Sequence, residues 1–168
     1  MQKYCVFLIM FILFLVGCSK MSDRELFDKG DAAAKEGKYY ESITYFEQLV
    51  QEHPKSMLVP EVLFYLSGLY KDQKKDYGKA IETLQRIVKE YPNYDKAANA
   101  QFLIGFIFHN DIHDLAHAKE AYEEFLKKYP SHELAQSAQF ELENLGKDPS
   151  EIFPPKVAEK KDRDWKKH

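Results

Sequence analysis

Cysteine is almost absent: 2 of 168 residues, Cys5 inside an apolar N-terminal run and Cys18 just past its end. No cysteine follows, so a fold built from the rest of the chain has no disulfide, no thiolate nucleophile and no cysteine-rich zinc site. Glycine is scarce, at 7 residues, and none of it forms a phosphate-cradling run; HExxH and GxSxG are missing as well. Carboxylates are plentiful, but they fall on the solvated faces of amphipathic segments, and no segment proposes the concave polar site that catalysis requires. Basic residues are not in excess either. The 24 Lys and Arg stand against 27 Asp and Glu, which gives no support for nucleic-acid binding. The longest apolar run, Tyr4 to Val16, has 13 residues, short of the roughly 20 that cross a bilayer as a helix. The expectation is a protein that is not an enzyme and uses no cofactor.

What the chain does have is a beat. His53-Pro54, Tyr91-Pro92 and Tyr129-Pro130 recur at intervals of 38 residues. Whole columns of residue types travel with the prolines: Ser42, Ala80 and Ala118 before them, then Phe46, Leu84 and Tyr122, then Leu49, Ile87 and Phe125. After them come Val59, Ala97 and Ala135, and further on Phe64, Phe102 and Phe140. Within 77–91 the apolar set Tyr77, Ala80, Ile81, Leu84, Ile87, Val88 and Tyr91 has helical spacing, with Glu82, Gln85, Arg86 and Lys89 on the other face. Proline then stops the helix, because it lacks an N–H and pushes the residue before it out of helical geometry. Ser22 with Glu25 reads as a capping box. The pattern predicts seven helices, at about 23–36, 39–53, 57–72, 77–91, 94–109, 115–129 and 132–145. Short connections make neighbours antiparallel. The predicted fold is all-α, a right-handed α-solenoid of antiparallel helix pairs: three repeats and a C-terminal capping helix that closes the apolar edge. Solenoids of this kind bind other proteins.

The two ends read differently. Lys3, the apolar run and then Leu15-Val16-Gly17-Cys18 have the layout of a secretory signal. The last four residues resemble the lipobox of bacterial lipoproteins. That resemblance implies cleavage before Cys18, a diacylglycerol thioether on its sulfur and an acylated amine. The domain plan is then a signal peptide over 1–17, an acylated tether over 18–22, a helical repeat domain over 23–146 and a charged tail over 147–168. Loss of Lys3 leaves 23 basic residues against 27 acidic ones. Ser19 follows the cysteine where an aspartate would favour inner-membrane retention in enterobacteria, so the resemblance implies the outer membrane. The tail carries Pro149, Pro154, Pro155 and the run Glu159-Lys160-Lys161-Asp162-Arg163-Asp164, loses apolar periodicity and is expected to be disordered.

The helix pairs resemble tetratricopeptide repeats. Gly30 and Gly68 fall at that family's first-helix glycine, Ala80 and Ala118 at its second-helix alanine with Ser42 as the substitute, and Pro54, Pro92 and Pro130 at its terminal proline. In the third repeat Gly105 comes one place early and Phe106 takes the glycine site. Repeats lengthened beyond the usual ~34 residues, ending in Tyr-Pro and following a lipobox, resemble the BamD (YfiO, ComL) outer-membrane lipoproteins over about residues 18–145. That family carries more repeats than are read here. The resemblance implies a lipid anchor at Cys18, a place on the periplasmic face of the outer membrane, and work in β-barrel protein assembly. Its partners would be barrel-assembly components or unfolded outer-membrane proteins. It also implies that first helices line a groove, with Phe27 and Asp31, then Tyr65 and Leu69, then Leu103 and Ile107 facing inward. The lysines and asparagines that clamp a peptide carboxylate in other tetratricopeptide proteins are not found at these places. A groove so lined suits an extended or helical segment with apolar anchors. Two alternatives remain. One is another envelope process, as for the tetratricopeptide protein linked to Tol-Pal, which typically carries a coiled coil for which this chain has no room. The other is a metal module at His109, His113 and His117, whose four-residue spacing suits zinc on one helix face, although the repeat places 110–114 in a turn.

Overall fold

A computed structural model describes residues 20–152. The proposed signal 1–17, Cys18 with Ser19, and the tail from residue 153 onward lie outside the described residues. Among the described residues all regular structure is helical: α1 Asp23–Lys35, α2 Tyr39–Glu52, α3 Val59–Leu69, α4 Tyr77–Glu90, α5 Ala97–Phe106, α6 Leu115–Lys128, α7 Ala135–Asn144 and a short α8 Pro149–Ile152. α3 and α5 each run on into a π-helical turn, Tyr70–Lys74 and Ile107–Ile112. No helix here is long and apolar enough to cross a membrane.

The chain divides into two compact units between Thr83 and Leu84, within α4. In the first, α1, α2 and α3 bury Leu26, Ala33, Ile43, Phe46, Leu49, Val62, Leu63 and Leu66. Ser22 caps α1 with a full capping box: its hydroxyl accepts from the Glu25 amide while the Glu25 carboxylate accepts from the Ser22 amide at 2.8 Å. In the second unit Ala98, Ala118, Tyr122, Phe125 and Ala138 form a core, with Phe102, Leu126 and Leu142 packed against it.

Helix starts after the prolines come two to three residues later than the sequence predicts, at Val59, Ala97 and Ala135 rather than 57, 94 and 132. Two consecutive turns occupy each gap. The amides of Ser56, Tyr94 and His132 donate to the carbonyls of His53, Tyr91 and Tyr129, and those of Val59, Ala97 and Ala135 donate to Ser56, Tyr94 and His132. The repeat extends to these hydrogen bonds, and it specifies a double turn where apolar periodicity alone suggests helix.

First helices end on a left-handed residue, also at the interval of 38: Gly37 at φ +74°, Lys75 at +53° and His113 at +62°. α1 closes with a Schellman motif, Gly37 N–H to the Ala34 carbonyl and Lys38 N–H to Ala33. α3 and α5 close differently. The amides of Lys75 and His113 reach five residues back to the Tyr70 and Phe108 carbonyls, the wider rings of a π turn, and those of Asp76 and Asp114 reach six back to the same carbonyls. That turn holds one residue more than the first repeat does at the same place.

The extra residue moves a sequence column. Gly30 lies against the Phe46 ring and Gly105 against the Tyr122 ring; an added Cβ would come within 2.5 and 2.8 Å of them. Gly68 faces nothing within 4 Å. The buried small residue of the second repeat is the one before it, Ser67, whose hydroxyl donates to the Phe64 carbonyl at 2.7 Å. Assignment of Gly68 to the first-helix glycine column is thus corrected, and Gly105, one place early by strict count, is in register.

Candidate functional site

In the first unit Phe27 on α1 and Tyr65 on α3 meet, with ring centroids 6.3 Å apart. Beneath them the buried Phe46 lies 6.0 Å from Phe27 and stacks on Tyr65 at 5.8 Å. Tyr65 remains 42 % exposed, so its phenol edge forms a ledge over a rigid aromatic base. Beside it Asp31 pairs with Lys35 at 2.6 Å. The hydrogen bond from Lys35 to Asp31, reinforced by the charge of Asp31 and the nearby Tyr65 phenol, holds the ammonium above its ordinary pKa. Leu69 is half-buried. Two of the predicted groove residues, Phe27 and Tyr65, therefore form one surface feature, with an ion pair from a third, Asp31, at its side.

A second cluster, which the sequence did not announce, fastens the π turn of this unit to α2. The Tyr70 hydroxyl donates to the Glu47 carboxylate, and Lys79 donates to the same oxygen at 2.9 Å. The Lys79 ammonium lies 4.6 Å from the centre of the Tyr70 ring. Desolvation would raise the pKa of Glu47, but the bonds from Tyr70 and Lys79 and the neighbouring positive charges outweigh it and hold the carboxyl below the usual range. Burial, with Glu47 second, pushes the Tyr70 phenol up to about 12. A carboxyl depressed in the folded state contributes stability above its unfolded pKa near 4.5 and loses it as pH falls through the folded value. Glu47→Gln is accordingly expected to cost about 1 kcal/mol at pH 7, modest because the group is partly exposed. It should also flatten the loss of stability below about pH 4.5. Urea titrations of both proteins at several pH values check this.

In the second unit Leu103 is half-buried, whereas Ile107 is 1 % exposed. Ile107 follows the buried Ala100 and Ile104 at helical spacing and so lies on the core face of its helix, and the expectation that it faces a groove is not met. A cleft of about 540 Å³ lies in this unit, bordered by Gln85, Gln101, Ile104, Phe108, His117 and Glu124. Gln101 is buried and ties α5 to α6 through a bond to the Ala121 carbonyl at 3.2 Å. Lys89 and Lys128 line it together with Glu120 and Glu124, so the cleft selects no one sign of charge.

The three histidines do not converge. The helix continues to Ile112, past the expected end at 109, and the left-handed His113 then breaks it. His109 donates to Glu141 at 3.1 Å and His113 to the His109 carbonyl at 3.1 Å. His117 stacks on Phe108 and donates to Asp114 at 2.6 Å, while Asp114 accepts from the His117 amide as the N-cap of α6. The bond to Asp114 and its negative charge raise the pKa of His117. Among the described residues no three His, Cys, Asp or Glu side chains gather as a metal set.

Comparison with known proteins gives two kinds of likeness. A family described as "YfiO: Outer membrane lipoprotein" matches residues 19–147. No curated protein sequence matches significantly. Among solved structures, the first tetratricopeptide domain of Spaghetti (RPAP3) bound to the HSP90 peptide SRMEEVD has a TM-score of 0.55 at 23 % identity, covering 73 % of this chain and 89 % of that one. The Sgt2 tetratricopeptide domain from Aspergillus fumigatus has a TM-score of 0.54 at 21 % identity, covering 79 % and 85 %. The fold is therefore of the tetratricopeptide type.

Proposed function

Because the chain belongs to the YfiO family of outer membrane lipoproteins, we propose that it is a lipid-anchored, non-catalytic scaffold that binds other envelope proteins in β-barrel protein assembly. The family match over residues 19–147 is the observation that carries this reading. The anchor is Cys18, the site is the periplasmic face of the outer membrane, and the partners are barrel-assembly components or unfolded outer-membrane proteins. The aromatic ledge supports a protein partner in particular. Phe27 and Tyr65 supply large, rigid contact area, Phe46 fixes them from below, and Asp31 with Lys35 adds a polar edge. An extended or helical segment with an aromatic or aliphatic anchor fits such a surface. Leu69, half-buried in the same unit, is a further position open to a partner there, and Leu103, half-buried in the second unit, is one in that unit.

A photo-crosslinking amino acid in place of Tyr65, activated in intact cells and followed by purification from membranes, tests the reading. Capture of barrel-assembly components or unfolded barrel proteins is expected. Consistent capture of Tol-Pal or cell-wall components instead would overturn the assignment to barrel assembly.

A further inference from the structure

The segment before α1 is strapped down. The Met21 carbonyl accepts from His53 Nε2–H at 2.8 Å, and the Ser56 hydroxyl donates to Asp23. The Lys20 ammonium lies 3.9 Å from Glu52, and the Lys29 ammonium 3.1 Å from the Met21 sulfur. Three of these four ties run to residues 52–56, the end of α2 and the connection into α3. The chain is therefore held to the fold from Lys20 onward, and only Ser19 stands between Lys20 and Cys18. A trans peptide unit advances at most about 3.6 Å, so the Lys20 Cα lies within about 7 Å of the Cys18 Cα and the Met21 Cα within about 11 Å. The polar layer on each side of a bilayer's hydrocarbon core is itself roughly 5–7 Å thick.

A leash this short does not let the first unit turn freely. With Cys18 lipidated, the end of the helix pair that carries His53 to Leu58 is the one held next to the lipid. That end presents Met57, 93 % exposed, beside exposed Lys55, while Lys20 is shared with Glu52 and Asp23, which accepts from Ser56, keeps its negative charge. The opposite end, at Glu36 and Gly37, stands the length of α1 away, about 20 Å.

We propose that the α2–α3 connection, with Met57 and Lys55, is a second membrane contact, pressed onto the lipid surface by the N-terminal strap so that one fixed face of the first unit meets the membrane. An apolar thioether beside the exposed Lys55 suits the headgroup boundary, where the methionine enters the interface and the ammonium meets lipid phosphates. The inference rests on the reading of Cys18 as lipidated.

The test uses the full chain, purified from membranes and reconstituted into vesicles of phosphatidylethanolamine and phosphatidylglycerol. Met57→Cys and, at the far end, Glu36→Cys each carry a fluorophore, and aqueous iodide is the quencher. The expected result is severalfold weaker quenching at position 57 than at 36. A Gly/Ser spacer of about 12 residues between Ser19 and Lys20, spanning roughly 20 Å on average, should abolish the difference without touching the fold. Equal quenching in a chain whose mass includes the lipid would overturn the second contact while leaving lipidation intact. A chain whose mass includes no lipid would remove the premise, and the proposal with it.

Discussion

Cys18→Ala is expected to reduce labelling by palmitate to background and, behind an ordinary cleavable leader, to move the protein from the membrane to the soluble fraction. The size of the effect follows from additive chain burial. Each buried CH₂ contributes about 0.8 kcal/mol, so a single acyl chain holds a protein only reversibly while two or three hold it effectively permanently. Substitution of one sulfur removes the thioether lipid and the signal for amine acylation together. Nothing among the described residues replaces them, since no helix there crosses a membrane and a lone exposed methionine offers far less apolar area than an acyl chain. Fractionation with and without high salt, alongside metabolic labelling, reads the result. Unchanged lipid labelling and membrane retention would mean that Cys18 is not the anchor.

Gly30→Ala is expected to destabilise the first unit, with a net loss of about 1–2 kcal/mol: overpacking costs about 1–3 kcal/mol, and the better helix propensity of alanine returns part of it. The added methyl would stand 2.5 Å from the Phe46 ring. Phe46 is 1 % exposed and held between Phe27 and Tyr65, so the ring has no free rotamer to retreat into. Gly68→Ala is expected to act in the opposite direction, stabilising by about 0.5–1 kcal/mol, because its Cβ would meet nothing within 4 Å. The pair is informative because the 38-residue count puts both glycines in one column. Urea titrations that moved both in the same direction would show that the π turn does not shift the register.

The fold was legible because repetition made each signal threefold. Ser42, Ala80 and Ala118 are all buried, as are Phe46, Leu84 and Tyr122 and the pair Leu49 and Ile87 with Phe125. One such column is weak evidence; several that agree on phase and spacing leave a stack of amphipathic helices as the arrangement that buries them all. The candidate site was less legible. Phe27 and Tyr65 came from the same count and do meet, but Ile107, chosen by the same rule, is in the core. Helical spacing assumes about 3.6 residues per turn, and a π turn breaks that assumption locally; the polar stretches that accompany it, Lys71-Asp72-Gln73-Lys74 and His109-Asn110-Asp111, read as an ordinary helix end. Lys75 adopts left-handed geometry that its side chain does not advertise, and the histidine at 113 is only a weak pointer to it. The Glu47, Tyr70 and Lys79 cluster joins residues 32 apart at its extremes, a separation that no local pattern predicts.

Class, the seven helices of the repeat region and the burial columns were thus determined by the sequence alone, because periodic apolar residues have one way to leave water together; the short α8 at Pro149–Ile152 falls where the sequence predicts a disordered tail. The register of the first helices, the strap that ties Met21 and Asp23 to His53 and Ser56, and the ledge of Phe27 and Tyr65 over Phe46 were decided only in three dimensions. Each depends on a single added residue or on a contact between distant side chains, where little more than an ångström separates a glycine that is required from one that is not.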